Sequence, residues 1–66
     1  METKIKVTGM TCNHCVGAVT RALEGVPGVE RADVSLETGQ ALVKGDAEID
    51  LLLNAIKEEG YEARPL

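Results

Sequence analysis

Aromatic side chains and clustered positive charge are both nearly missing from this sequence of 66 residues. Tyr61 is the one aromatic residue, so the chain offers no row of rings on which single-stranded nucleic acid could stack. The formal net charge is −4, and the seven lysines and arginines are scattered along the chain. Proteins that bind nucleic acid usually carry a basic patch for the phosphates. We therefore do not expect a nucleic-acid partner.

Long apolar runs are missing as well. No run approaches the roughly 20 apolar residues that a membrane-spanning helix needs, and no charged and then apolar leader stands at the N-terminus. We therefore expect a cytoplasmic protein that does not insert into a membrane. A hydrophobic share of 44% is typical of a folded chain. The length predicts one domain over residues 1–66, with a core too thin to enclose a substrate cavity.

Cysteine is scarce, and both cysteines lie in one short segment with the only histidine: Gly9-Met10-Thr11-Cys12-Asn13-His14-Cys15. Thiols stay reduced in the cytoplasm, which favours metal binding or redox cycling over a structural disulfide. A closed zinc site takes four ligands, usually from two Cys or His pairs, and a second pair is missing here. Two thiolates with few other ligands suit Cu(I) instead.

The spacing of apolar residues predicts the element order β-α-β-β-α-β. This order indicates the α+β, ferredoxin-like arrangement: a four-stranded antiparallel sheet with both helices on one face. Glycine and proline mark most of the breaks between elements. The predicted strands cover 3–8, 29–36, 41–44 and 61–64, and the predicted helices cover 13–24 and about 48–59.

The Cys-x-x-Cys spacing at the start of the first helix has a chemical consequence. If Cys12 is the N-cap, Cys15 is the third helical residue, and the free amides of the first turn point toward a Cys12 thiolate. The helix dipole also favours negative charge there. This predicts that Cys12 has the lower pKa and meets a partner first, while Cys15 is more sheltered.

The segment 9–15 resembles the Gly-Met-x-Cys-x-x-Cys signature of the heavy-metal-associated (HMA) domain family, and specifically its bacterial copper chaperones. The family also includes the N-terminal modules of copper-transporting P-type ATPases and a mercury-binding relative. The likeness covers nearly the whole chain. Residues 26–29, Val-Pro-Gly-Val, match the family's turn after the first helix, and Gly60-Tyr61 matches the pair that bacterial members carry before the last strand.

The resemblance implies roles for individual residues. Cys12 and Cys15 are expected to hold Cu(I), with Met10 packed beneath the loop rather than bound to the metal. Tyr61 is expected close to the loop. Thr11 matches the residue that copper-type members of the family carry at this position. Zinc- and cadmium-type pumps often carry an acidic residue there.

The function implied is that of a non-enzymatic Cu(I) chaperone, which delivers copper to the metal-binding domain of a P-type ATPase by thiolate exchange. A copper-responsive repressor is a second expected acceptor, and two chains could share one Cu(I) as a homodimer. Met1 and the short C-terminal end favour a free-standing chaperone over a domain cut from an ATPase.

Besides the excised ATPase domain, two other functions stay open at this point, and His14 has two interpretations. A Hg(II) or Zn(II) carrier would use the same ligands, because ligand softness does not select one metal. A thiol-disulfide oxidoreductase would use the same spacing, but the thioredoxin pattern needs a longer chain with an active-site Trp and cis-Pro. His14 is interpreted first as a solvent-facing loop residue and second as a third ligand.

Overall fold

The computed structural model describes residues 2–66, and its architecture confirms the predicted α+β, ferredoxin-like fold; Met1, the first residue of the predicted domain, lies outside the described residues. Four strands form one sheet in the order β2-β3-β1-β4, with every neighbouring pair antiparallel. The elements are β1 (Glu2–Thr8), α1 (Asn13–Glu24), β2 (Val29–Ser35), β3 (Gln40–Gly45), α2 (Ile49–Glu58) and β4 (Glu62–Pro65).

The strands owe their place in the sheet to alternation of apolar and polar residues. On the central strand β1, Ile5 and Val7 are buried, and the residues between and beside them are polar. Ile5 pairs with Ala41 of β3, and Val7 pairs with Ala63 of β4, so the apolar side chains share one face of the sheet.

Both helices supply the other side of the core. Val19 and Leu23 of α1 and Leu52 and Ile56 of α2 are buried, at the spacings that place them on one face of each helix. They join the apolar face of the sheet in a single cluster, which does not include either cysteine. Its members are Ile5, Val7, Val19, Leu23, Val26, Ala32, Ala41, Val43, Leu52 and Ile56.

Several predicted boundaries shift by a residue. Strand β2 ends at Ser35, and Leu36, expected on the inner face, lies in the turn with 37% of its surface exposed. Strand β4 begins at Glu62 rather than at Tyr61. Pro65, expected to terminate that strand, is its last paired residue, opposite Ile5. Because β4 is an edge strand, the missing N–H of Pro65 is tolerated there.

Neither of the two helices within residues 2–66 is long and apolar enough to cross a membrane.

Candidate metal centre

The loop from β1 into α1 carries both cysteines to the same end of the domain. Cys12 is the N-cap of α1, with extended backbone at φ −158°, and Cys15 is the third residue of the helix. The Cys15 amide donates a hydrogen bond to the Cys12 carbonyl at 3.0 Å, which closes the first turn. This turn sets the two Sγ atoms 3.9 Å apart.

That separation lets one ion touch both sulfur atoms. Metal–thiolate bonds are about 2.3 Å long for zinc, so two of them bridge 3.9 Å without movement of the backbone. Both cysteines are free; Cys12 is exposed and Cys15 is half-buried. No group of three or more His, Cys, Asp or Glu side chains gathers into a metal-binding cluster within residues 2–66. The arrangement is therefore an open pair of thiols with the geometry to hold one ion.

The Cys15 thiol is adapted to carry negative charge. Its pKa is lowered from 9.0 to about 6, chiefly by a hydrogen bond from the backbone of Thr11 and next by the side chain of Tyr61. Partial burial opposes this, while the Thr11 hydroxyl and the Cys12 backbone lower the pKa further. Thr11 Oγ1 lies 3.8 Å from Cys15 Sγ. Several donors thus converge on one sulfur, which favours the thiolate.

The prediction that Cys12 has its thiolate stabilised by the helix start is wrong in this structure. The side chain of Cys12 makes no capping hydrogen bond at the N-terminus of α1. The donors of the loop instead face Cys15, because the loop folds back so that Thr11 lies against the first helical turn. The predicted difference in exposure holds, since Cys12 is exposed and Cys15 is half-buried.

Tyr61 reaches the loop because of how α2 ends. Gly60, at φ +94°, turns the chain after the helix, and the Tyr61 amide donates to the Ile56 carbonyl at 3.4 Å. This is the αL ending that glycine favours at a helix C-terminus. A Cβ at Gly9 would lie 3.4 Å from Tyr61 Cδ1, so the loop rests on the tyrosine ring. The tyrosine is therefore held in place from two sides.

Tyr61 and Cys15 influence each other's charge. The pKa of the Tyr61 hydroxyl is raised, first by its interaction with the Cys15 side chain and then by partial burial and by the charges of Cys15, Cys12 and Glu59. Among residues 2–66, the side-chain hydrogen bonds of the Cys15 sulfur in this conformation are with Thr11 and Cys12. The Tyr61 hydroxyl makes no hydrogen bond to this sulfur in the present conformation, but it lies near enough to lower the pKa of Cys15.

Met10 and His14 occupy different surroundings. Met10 is half-buried and packs against the hydrophobic core below the loop. His14 is exposed and lines a shallow depression of about 220 Å³ on the outer side of α1 with Asn13, Gly17 and Arg21. The structure thus brings Thr11, Tyr61 and the cysteines together, and it places His14 on the solvent side of the helix.

Two contributions to the site were missed in the sequence. Thr11 was expected beside the metal ligands, but the action of its backbone and hydroxyl on Cys15 was not predicted. Gly9 was read as a strand break, and its contact with Tyr61 was not foreseen. The position of Thr11, directly before the Cys-x-x-Cys helix start, is the sequence signal for an amide donor to the thiols. The packing of Gly9 had no signal in the sequence.

A ferredoxin-like domain with an open pair of thiols at the start of its first helix defines a class of small metal-binding domains. Residues 4–62 match the heavy-metal-associated domain family, and the chain belongs to that family.

Relatives of this chain include whole small proteins and parts of large ones. It is 41% identical over 61 residues to the copper chaperone CopZ of Staphylococcus aureus (strain JH9), covering 88% of this chain and 90% of that protein. It is 40% identical to a mercuric reductase of Acidithiobacillus ferrooxidans over 96% of this chain, and 44% identical to copper-transporting ATPase 2 of Rhizobium meliloti (strain 1021) over 97% of it. The chain spans 12% and 8% of the lengths of those two proteins.

The solved structures agree with the fold. A structure described as the CopZ metallochaperone superimposes with a TM-score of 0.93 at 37% identity, covering 97% of this chain and all of that one.

Proposed function

We propose that residues 1–66 form a single HMA domain that carries Cu(I) in the cytoplasm and passes it to the metal-binding domain of a copper-transporting P-type ATPase. In this proposal the protein is a carrier without enzymatic activity, and Cys12 and Cys15 are its metal ligands. The observation that carries the proposal is the pair of sulfur atoms 3.9 Å apart on an open loop. The copper chaperone and copper-transporting ATPase among its relatives support the choice of metal and of acceptor.

Transfer of Cu(I) by ligand exchange is possible because only two residues of the protein bind the ion. An incoming thiolate can bind Cu(I) before either resident sulfur leaves, so the ion never enters water. Cys12 is exposed and lacks a capping bond, whereas Cys15 is half-buried and held by donors from Thr11 and Tyr61. Cys12 is therefore the first ligand to be replaced, and Cys15 is the last to release the ion.

In the binding test, the reduced protein competes with a coloured chelator for Cu(I) in the absence of oxygen. We expect one Cu(I) per chain, and loss of the competitive binding in Cys12→Ser and in Cys15→Ser. His14→Ala is the matched control, because His14 lies on the outer side of α1, and it should retain the affinity. A chain that binds with the same affinity after both cysteines are replaced would contradict the assignment.

The transfer test mixes the loaded protein with the isolated metal-binding domain of a copper-transporting ATPase. For ligand exchange, the observed rate should rise with acceptor concentration. If charge complementarity steers the encounter, the rate should also fall as salt is added. A rate independent of acceptor concentration would instead mean that release of the ion limits transfer.

A Hg(II) carrier is the second candidate, favoured by the relative named as a mercuric reductase. Two thiolates suit Hg(II) as well as Cu(I). Two measurements separate the candidates. The first is competition between Cu(I) and Hg(II) for the protein, and the second is transfer of each ion to a copper ATPase domain and to a mercuric reductase. Efficient transfer of Hg(II) to the reductase, with none of Cu(I) to the ATPase domain, would favour the mercury carrier.

A further inference from the structure

Charge is divided unevenly between the sheet and the rest of the molecule. The strands carry five of the seven basic residues and four of the eleven acidic ones, a balance of +1, which leaves −5 for the helices and loops within the total of −4. The basic residues of the strands occupy positions that alternate with the core positions, so they face away from the helices. They are Lys4, Lys6, Arg31, Lys44 and Arg64.

Ion pairs neutralise one half of this open face. On the β2–β3 side, Arg31 lies 3.3 Å from the carboxylate of Asp33, and Lys44 lies 3.6 Å from that of Glu2, which begins β1. The remaining three basic residues form what we call the basic patch: Lys4, Lys6 and Arg64. Within residues 2–66 none of the three has a carboxylate within ion-pair distance. Lys6 donates only to the Thr38 carbonyl, at 3.1 Å.

The strand register sets two charges of the basic patch directly against each other. Lys6 on β1 is the cross-strand partner of Arg64 on β4, and like charges in such a position repel each other. The two side chains line a shallow depression of about 340 Å³ together with Thr8, Glu62 and Ala63. Glu62 is the only carboxylate in that lining, and it stands opposite Thr8 rather than between the two cations.

We propose that the basic patch is a docking surface for an extended, acidic protein segment. Lys4 and Lys6 lie two residues apart on the same face of β1, which separates them by about 6.8 Å. An extended chain with a carboxylate at every second residue has the same repeat, so it can offer one carboxylate to Lys4 and the next to Lys6 and Arg64. This relieves the repulsion between the cross-strand cations.

The surface is separate from the metal ligands. The Thr8–Glu62 pair lies between the basic patch and the loop that carries Cys12. A segment laid along β1 therefore leaves the thiols open, and docking does not require a metal. An anionic membrane is a poorer fit, because Lys6 and Arg64 line a depression along the strands, which a narrow extended segment can enter and a flat surface cannot.

The test uses the reduced, metal-free full chain and a synthetic peptide with glutamate at alternate positions, with a glutamine version as its control. Amide NMR shifts at low salt should saturate and should map to β1 and β4. The double variant Lys6→Gln/Arg64→Gln should bind roughly fivefold more weakly, as expected for the loss of two exposed ion pairs. The matched control, Arg21→Gln/Lys57→Gln, removes the same charge from the helices and should bind as the unchanged protein does.

Several outcomes would overturn the proposal. One is equal weakening by the two double variants, which would mean that only net charge matters. Others are shifts that map to α1 or α2, equal binding of the glutamine peptide, or no saturable binding. Binding to phosphatidylglycerol vesicles without peptide binding would assign the surface to a membrane, and self-association without peptide binding would assign it to a second copy. Since no metal is present, these results are independent of the copper-carrier proposal.

Discussion

Replacing Tyr61 with phenylalanine removes a hydroxyl from the surroundings of Cys15 and leaves the ring that supports the loop. At a pKa of about 6, Cys15 has about ten thiolates for every thiol at pH 7, whereas at 9.0 it would have about one for every hundred thiols. Because the side chain of Tyr61 is the second-largest cause of the lowered pKa, Tyr61→Phe should raise it. The value should stay below 9.0, since the Thr11 backbone donor remains.

Thr11→Val provides an internal comparison. It removes the weaker hydroxyl donor and keeps the backbone N–H, so the pKa of Cys15 should rise less than in Tyr61→Phe. The assay follows thiolate absorbance and the rate of alkylation across a pH range that spans both values. A Cys12→Ser background makes Cys15 the only thiol observed. An inflection of Cys15 near 9.0 in that background, or no rise in Tyr61→Phe, would refute the assignment of these donors.

The same shift links stability to pH. The pKa of Cys15 in the folded protein lies below its ordinary value of 9.0, so the thiolate form favours the folded state. This contribution is complete above pH 9 and is lost as the pH falls toward 6. The unfolding midpoint of the metal-free protein should therefore decline across that range relative to Cys15→Ser, which has no such group.

Three further predictions concern the fold and its optical signal. The reduced, metal-free protein should unfold cooperatively, because its core contains neither cysteine; a random-coil circular dichroism spectrum would contradict this. Ile56→Ala should lower the free energy of unfolding by about 2–5 kcal/mol in urea titrations, since the side chain is fully buried, whereas Leu51→Ala on the same helix, 45% exposed, should cost far less. Tyr61 is the only aromatic residue, so its fluorescence should change on Cu(I) loading; constant emission on stoichiometric loading would place the metal away from it.

The sequence by itself determined the order of elements and the position of the thiols. Alternating residues around Ile5 and Val7 define β1, and the helical spacing of Val19 and Leu23 defines the buried face of α1. These patterns are local, because they depend on periods of 2 and 3.6 residues. A Cys-x-x-Cys spacing at a helix start is local as well, so the proposed ligands could be predicted without a structure.

Only the tertiary structure decided which of the two thiols receives the hydrogen-bond donors of the loop. Helix-start arguments favoured Cys12, because they consider only the amides of the helix. The structure turns Thr11 back onto Cys15 and brings Tyr61 to it from 46 positions further along the chain. Contacts of that kind depend on how Gly60 ends α2 and how Gly9 meets the ring, and no sequence period encodes them. The register that sets Lys6 against Arg64 was decided in the same way, by the pairing of the first strand with the last.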